Sequence, residues 1–233
     1  MQLHELGFFC HRWLQSILLA TVLISAPAFA QITVPPGGSL SIPAGGTLAL
    51  GCTNLNVQGN LSLGSGSVDQ GATVDIAATG SVNSGQGTIN AGVGWNNAGT
   101  FDPGTSTVVI DDACGIAQFL FTGRTTFYNL VIRSTVGRTF VIPAGLNLTV
   151  LGTLTLQGAP GLPIQLVSSN ASPATIALGS NARVVSSNAT FSPSVQTMVL
   201  SANNIPTLND YGLIATALLL LMATARVFRR KLK

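Results

Sequence analysis

Leu55-Asn56-Val57-Gln58-Gly59-Asn60-Leu61-Ser62-Leu63 returns as Leu148-Thr149-Val150-Leu151-Gly152-Thr153-Leu154-Thr155-Leu156. Both stretches read L-x-V-x-G-x-L-x-L, with apolar residues at every second position. That period belongs to a β-strand with one apolar face, because successive side chains on a strand point to opposite sides. A second echo pairs Ile42-Pro43-Ala44-Gly45 with Ile142-Pro143-Ala144-Gly145, and Val34-Pro35-Pro36-Gly37-Gly38 is a looser copy. Pro presets φ and Gly takes positive φ freely, so each of these is a turn between short strands.

The same grammar fills residues 31–204. They hold 24 of the 26 Gly, are dominated by Thr, Val, Ile, Ser, Asn and Gly, and contain neither Glu nor Lys. Short strands punctuated at close intervals predict an all-β body. A right-handed parallel β-helix of roughly eight or nine rungs of about 20 residues fits the pattern. A β-sandwich of the same strands is the alternative. Phe101–Ile110 followed by Thr126–Ile132 is similar to segments of large bacterial adhesin-like β-helix proteins.

Only 7% of the 233 residues are charged, against about 25% in an ordinary globular domain, yet the net charge is +3. Location explains the sign. Arg12 and Glu5 cancel within residues 1–30, and residues 31–204 carry four Arg against five Asp. The surplus lies at the end, where Asp210 faces Arg226, Arg229, Arg230, Lys231 and Lys233. The body therefore offers no basic patch to a phosphate backbone, which argues against nucleic-acid binding.

Both ends have the character of addresses. Arg12 precedes an apolar run from Trp13 to Ile24, then Pro27 and the small-x-small pattern Ala28-Phe29-Ala30. This predicts a signal peptide over 1–30, cut by signal peptidase to leave Gln31 first. At the other end, residues 213–228 are uncharged apart from Arg226 and rich in Leu and Ala. Counted from Tyr211, the run to Phe228 gives about 27 Å of helix, enough to span if Arg226 snorkels. The basic residues 229–233 would then stay on the cytoplasmic side, with the 31–200 β-repeat domain outside.

Just before that segment stand Ile205-Pro206-Thr207-Leu208 and Asn209-Asp210-Tyr211-Gly212. With the short apolar helix and the basic tail, they resemble the IPTL-CTERM sorting domain. That signal is related to the PEP-CTERM signals of Gram-negative bacteria that make an extracellular polymeric matrix. The family usually continues Ser-Glu-Trp-Gly; here Asn209, Asp210 and Tyr211 replace the first three and Gly212 is kept. The resemblance covers about 29 residues and implies processing by an exosortase, a membrane-embedded cysteine protease or transpeptidase. Pro206 keeps Ile205 extended and supplies no N–H, so residues 201–212 read as an extended linker carrying the motif.

The body is poor in reactive groups. Without His, Lys or Glu, it cannot build Ser-His or Cys-His nucleophilic systems, lysine bases or histidine zinc sites. No cofactor, metal site or catalytic set is expected. Asp111-Asp112 is the one carboxylate cluster in the body. Adjacent strand residues face opposite ways, so the two share a site only across a turn or bulge. A polar turn before Cys114 is the plain reading, and a calcium ligand pair is the functional one. Arg124, Arg133 and Arg138 form either an ordinary solvated surface or a small strip facing acidic polysaccharide. Cys52 and Cys114 are the body's two cysteines; in an exported protein they either form a disulfide, worth roughly 4 kcal/mol, or stand as two separately buried thiols. Trp95, Phe101, Phe119, Phe121, Phe127 and Phe140 read as core or end-cap packing.

The expectation is thus an exported, non-enzymatic cell-surface or matrix protein. It passes through an inner-membrane-anchored intermediate and meets extracellular polysaccharide or other surface proteins. The alternatives are a secreted carbohydrate-active β-helix enzyme, lyase or hydrolase, using Asp111 and Asp112, and a membrane protein whose tail is never cut.

Overall fold

A computed structural model describes residues 31–115 and 118–199. Those residues form 21 strands and no helix. Every ladder between named strands is parallel, which excludes the sandwich and gives a β-solenoid of about 8 turns.

Each turn has three sides. The first turn is β1 (Gln31–Val34), β2 (Ser39–Ser41) and β3 (Thr47–Ala49). The second is β4 (Asn54–Val57), β5 (Asn60–Ser62) and the first half of β6 (Ser67–Ile76). The third takes the second half of β6, β7 (Ser81–Asn83) and the first half of β8 (Thr88–Asn97). The fourth takes the rest of β8, β9 (Thr100–Asp102) and β10 (Thr107–Ile110). The fifth is β11 (Gln118–Thr122), β12 (Thr125–Phe127) and β13 (Asn129–Ser134). The sixth is β14 (Thr139–Ile142), β15 (Asn147–Val150) and β16 (Thr153–Gly158). The seventh is β17 (Ile164–Ser168), β18 (Ala174–Leu178) and β19 (Arg183–Ser187), followed by β20 (Ala189–Phe191) and β21 (Val195–Val199).

Stacking produces three faces. The first runs β1-β4-β6-β8-β11-β14-β17-β20. The third runs β3-β6-β8-β10-β13-β16-β19. The second is split into β2-β5-β7-β9 and β12-β15-β18-β21.

The L-x-V-x-G-x-L-x-L stretches are not single strands. Each is cut at its glycine into two short strands on neighbouring faces, β4 and β5 around Gly59, β15 and β16 around Gly152. Period two survives the bend, because Leu61 lies four positions after Val57 and the parity is unchanged. Leu55, Val57, Leu61 and Leu63 all face the core, as do Leu148, Val150, Leu154 and Leu156. Full burial of each such side chain stabilises by about 1.5–3 kcal/mol.

The Ile-Pro-Ala-Gly copies are corners. Gly46 N–H donates to the Pro43 carbonyl at 2.8 Å and Leu146 N–H to that of Pro143 at 2.9 Å. Gly45 and Gly145 supply φ of 71° and 73° at the third position, as a type II turn requires. At another corner the glycines stack between turns. Gly85 and Gly104 both have positive φ, and a Cβ on Gly104 would run into the Gly85 carbonyl oxygen. Alanine is excluded there twice over.

Candidate functional site

After β10, β13 and β16 the chain rounds the corner from the third face to the first. These corners stack, and they carry Asp111, Asp112, Thr135 and Pro160 into one groove of about 650 Å³. Arg133 and Gln157, from the ends of β13 and β16, complete its polar lining. The turn that lets both carboxylates share a site is present, because Asp111 and Asp112 lie just past the end of β10. The Asp111 carboxylate folds back to accept the Ala113 N–H at 3.0 Å, and the Asp112 carbonyl accepts the Gly115 N–H at 3.0 Å.

Both carboxylates are tied to the next turn. The second oxygen of Asp111 accepts from Arg133 Nη2 at 2.9 Å. Asp112 Oδ2 accepts the Thr135 N–H at 2.6 Å and its hydroxyl at 3.2 Å. Asp112 Oδ1 is buried without a protein partner among the described residues. Of the four carboxylate oxygens, two therefore hold one turn to the next and a third closes the corner on itself.

Beneath them lies Arg138, only 2% exposed. It donates through Nη1 to the Asp111 carbonyl at 2.8 Å and through Nη2 to the Gln118 carbonyl at 3.1 Å. Its guanidinium carbon stands 5.7 and 5.6 Å from the ring centroids of Phe119 and Phe140, within cation–π range. Burial pushes its pKa below the usual arginine value, while Asp112 and Asp111 pull it back up. The three arginines form no cationic strip, and the solvated-surface reading fails for Arg138. Arg138 is in the core, Arg133 is half-exposed and paired, and Arg124 is exposed at a different corner. A sequence signal for Arg138 existed: it shares inward parity with Phe140 and Ile142, both fully buried.

Cys52 and Cys114 form a disulfide, with Cα atoms 5.4 Å apart across a sequence separation of 62. Cys52 sits in the corner before β4 and Cys114 in the loop after β10, three turns further on. The intervening corners are narrow, since β6 and β8 run through them without a loop. Gly92 makes the crossing possible, because a Cβ there would stand 2.9 Å from that of Cys114.

The six aromatic residues named from the sequence are core rather than end caps. Trp95, Phe119, Phe121, Phe127 and Phe140 are fully buried at mid-length, and Phe101 packs against them. Trp95 lies 5.1 Å from Phe101 and 5.4 Å from Phe127 between ring centroids. Its Nε1 donates to Thr125 Oγ1 at 3.1 Å, which also accepts from Asn97 Nδ2 at 3.1 Å. This cluster spans the break between β9 and β12.

A smaller polar groove of about 180 Å³ lies on the first face among Gln31, Asn54, Asn56, Thr73, Asp75 and Asn96. Gln31, the expected first residue after signal cleavage, opens β1 and pairs with Asn54. Ala28, Ala30, the 205–212 motif, the 213–228 segment and the 229–233 tail lie outside the described residues. Among the described residues no helix is long and apolar enough to cross a membrane, and no group of three or more His, Cys, Asp or Glu could hold a metal ion. Comparison with protein-family models, with curated proteins and with solved structures finds no match.

Proposed function

We propose that the chain is an exported bacterial surface or matrix protein whose solenoid body is structural or adhesive rather than catalytic. The observation that carries the reading is the commitment of the corner cluster. Three of the four oxygens of Asp111 and Asp112 are already engaged, two clamping the next turn and one closing the corner, and Arg138 caps carbonyls in the core. A general acid–base pair needs carboxyls free to exchange protons with a substrate. Delivery rests on the two ends. Signal peptidase removes residues 1–30, the 213–228 segment holds the chain in the inner membrane, and an exosortase-type enzyme acts near Ile205–Gly212. The body then associates with extracellular polysaccharide or with other surface proteins through uncharged Ser, Thr and Asn rows. Deleting residues 205–233 tests this: the truncated protein leaves the envelope fraction and accumulates in the periplasm or medium. Unchanged envelope retention would overturn the sorting role.

One observation favours a second reading. Asp111 and Asp112 line the same groove, and Asp112 Oδ1 is unpartnered. A carbohydrate-active enzyme would use that oxygen, and Asp112→Asn would then abolish turnover on its polysaccharide while the fold persists. Full activity in that variant eliminates this reading.

A further inference from the structure

Charge is concentrated at one place on the body. Residues 31–204 hold four Arg and five Asp, and four of these nine stand at the corner groove or directly beneath it: Asp111, Asp112, Arg133 and Arg138. Two carboxylates meet two guanidiniums there, so the site is charged in its parts and neutral as a whole. Three successive corners line the groove, so it runs along the solenoid axis rather than around it.

Register sets the chemistry of its floor. The pairing of Ile110 with Ile132 places Asp111 beside Arg133. Further pairings match Arg133 with Gln157 and Gln157 with Ser187. Asp111, Arg133 and Gln157 each follow a buried residue, Ile110, Ile132 or Leu156, and so face outward. The result is a column of carboxylate, guanidinium, amide and hydroxyl, one group per turn at a strand spacing of about 4.8 Å. The Arg133 side chain is 52% exposed, and only its Nη2 is engaged among the described residues. Asp111 keeps 14% of its side chain exposed, and a carboxylate oxygen accepts more than one hydrogen bond. Gln157 is exposed and brings both a donor and an acceptor. Ala113, Ala159 and Pro160 supply an apolar wall.

We propose that this groove binds a neutral, hydroxyl-rich glycan chain laid along the solenoid axis. Neighbouring hydroxyls on a sugar ring donate and accept side by side, and the Asp111–Arg133 pair offers the complementary acceptor and donor. Rings further along the chain meet Gln157 and Ser187 in turn, while their C–H faces pack on the alanine and proline wall. An anionic polymer would be repelled by two carboxylates and a cationic one by Arg133 backed by Arg138, so the balance of charge selects an uncharged ligand. A peptide cannot add here as a strand, because β10, β13 and β16 are each laddered on both edges. The proposal rests on the adhesive reading above and gives that reading one contact site.

Isothermal titration of the full-length chain in a sugar-free detergent tests it. The probes are cellohexaose, mannohexaose and galactohexaose, with oligogalacturonate as the charged control. At least one neutral probe should bind, with the same affinity at low and high salt. Arg133→Ala and Gln157→Ala should each weaken that binding about fivefold or more, the loss of one hydrogen bond. Both side chains are exposed, so the variants keep the fold. Arg124→Ala, at a different corner, should leave binding unchanged. Binding of no neutral probe, or tighter binding of oligogalacturonate, overturns the inference. Neutral-probe binding untouched in both groove variants also overturns it, and leaves the adhesive reading standing with its contact elsewhere. Mass analysis of the recovered probe separates the two readings: a shortened oligosaccharide would support the glycan site and overturn the non-catalytic role of the body.

Discussion

The first four turns and the last four solve the same stacking problem differently. From β1 to β10 the ladders are continuous on all three faces, and paired residues recur every 19–23 positions, as in Leu40–Leu61–Val82–Phe101. Leu, Ile and Val fill most of that half, and the disulfide clamps its corners. Later repeats lengthen, reaching 30 positions between Leu154 and Val184. Between the halves the second face loses its ladder altogether. There the core switches to Trp95, Phe101 and Phe127, stitched by hydrogen bonds to Thr125. Where backbone pairing lapses, large rings and buried polar bonds take over the joining of turns. The corner cluster of Asp111, Asp112, Arg133 and Arg138 lies at the same junction.

Perturbing the junction separates the halves. Trp95→Ala removes the ring that touches both Phe101 and Phe127 and leaves the Thr125 hydroxyl with one donor, Asn97, in place of two. It should cost about 5 kcal/mol by urea unfolding, the upper end for aromatic truncation. Hydrogen exchange should rise first in β12 to β21 and only later in β1 to β9. Leu61→Ala, in the continuous half, should cost less, about 2–4 kcal/mol, without dividing the exchange pattern.

Reduction of Cys52–Cys114 acts on the other side of the comparison. Closing a 62-residue separation predicts a loss of roughly 4 kcal/mol on chain-entropy grounds, read as a drop in the urea midpoint. The effect should be largest for turns two to four, which the bridge encloses.

Arg138→Met keeps the volume but leaves the Asp111 and Gln118 carbonyls without their donor. A loss of about 2–3 kcal/mol follows from stranding those groups, measurable by thermal melting. Arg133→Ala breaks an ion pair whose arginine is half-exposed, so the cost should stay below about 1 kcal/mol. Equal losses for the two arginines would contradict the placement of one in the core and the other at the surface.

Much of this was legible in the residues, and the limits have physical causes. Period two marked the inward positions correctly, because parity survives a bend in the chain. The same property hid the bends: a corner that preserves parity leaves no trace in the alternation, so Leu55–Leu63 reads as one strand although it turns at Gly59. Buried polar groups followed parity too. Arg138 is in phase with Phe140, Thr125 with Phe127 and Asn97 with Trp95, all facing inward. Residue type argues for the surface in each case, and only the tertiary partners, carbonyls and hydroxyls from other turns, reverse it. The groove was the least legible feature. Asp112 meets Thr135 across 23 positions, a separation set by turn length rather than by any motif.

The central claim is that a solenoid body is delivered and released by the sequences at its two ends. Mass spectrometry of both termini, on mature protein from envelope and secreted fractions, tests it most directly. The account predicts a first residue of Gln31 and a last residue between about 203 and 212. Mature protein that retains Lys233 in every fraction would contradict it.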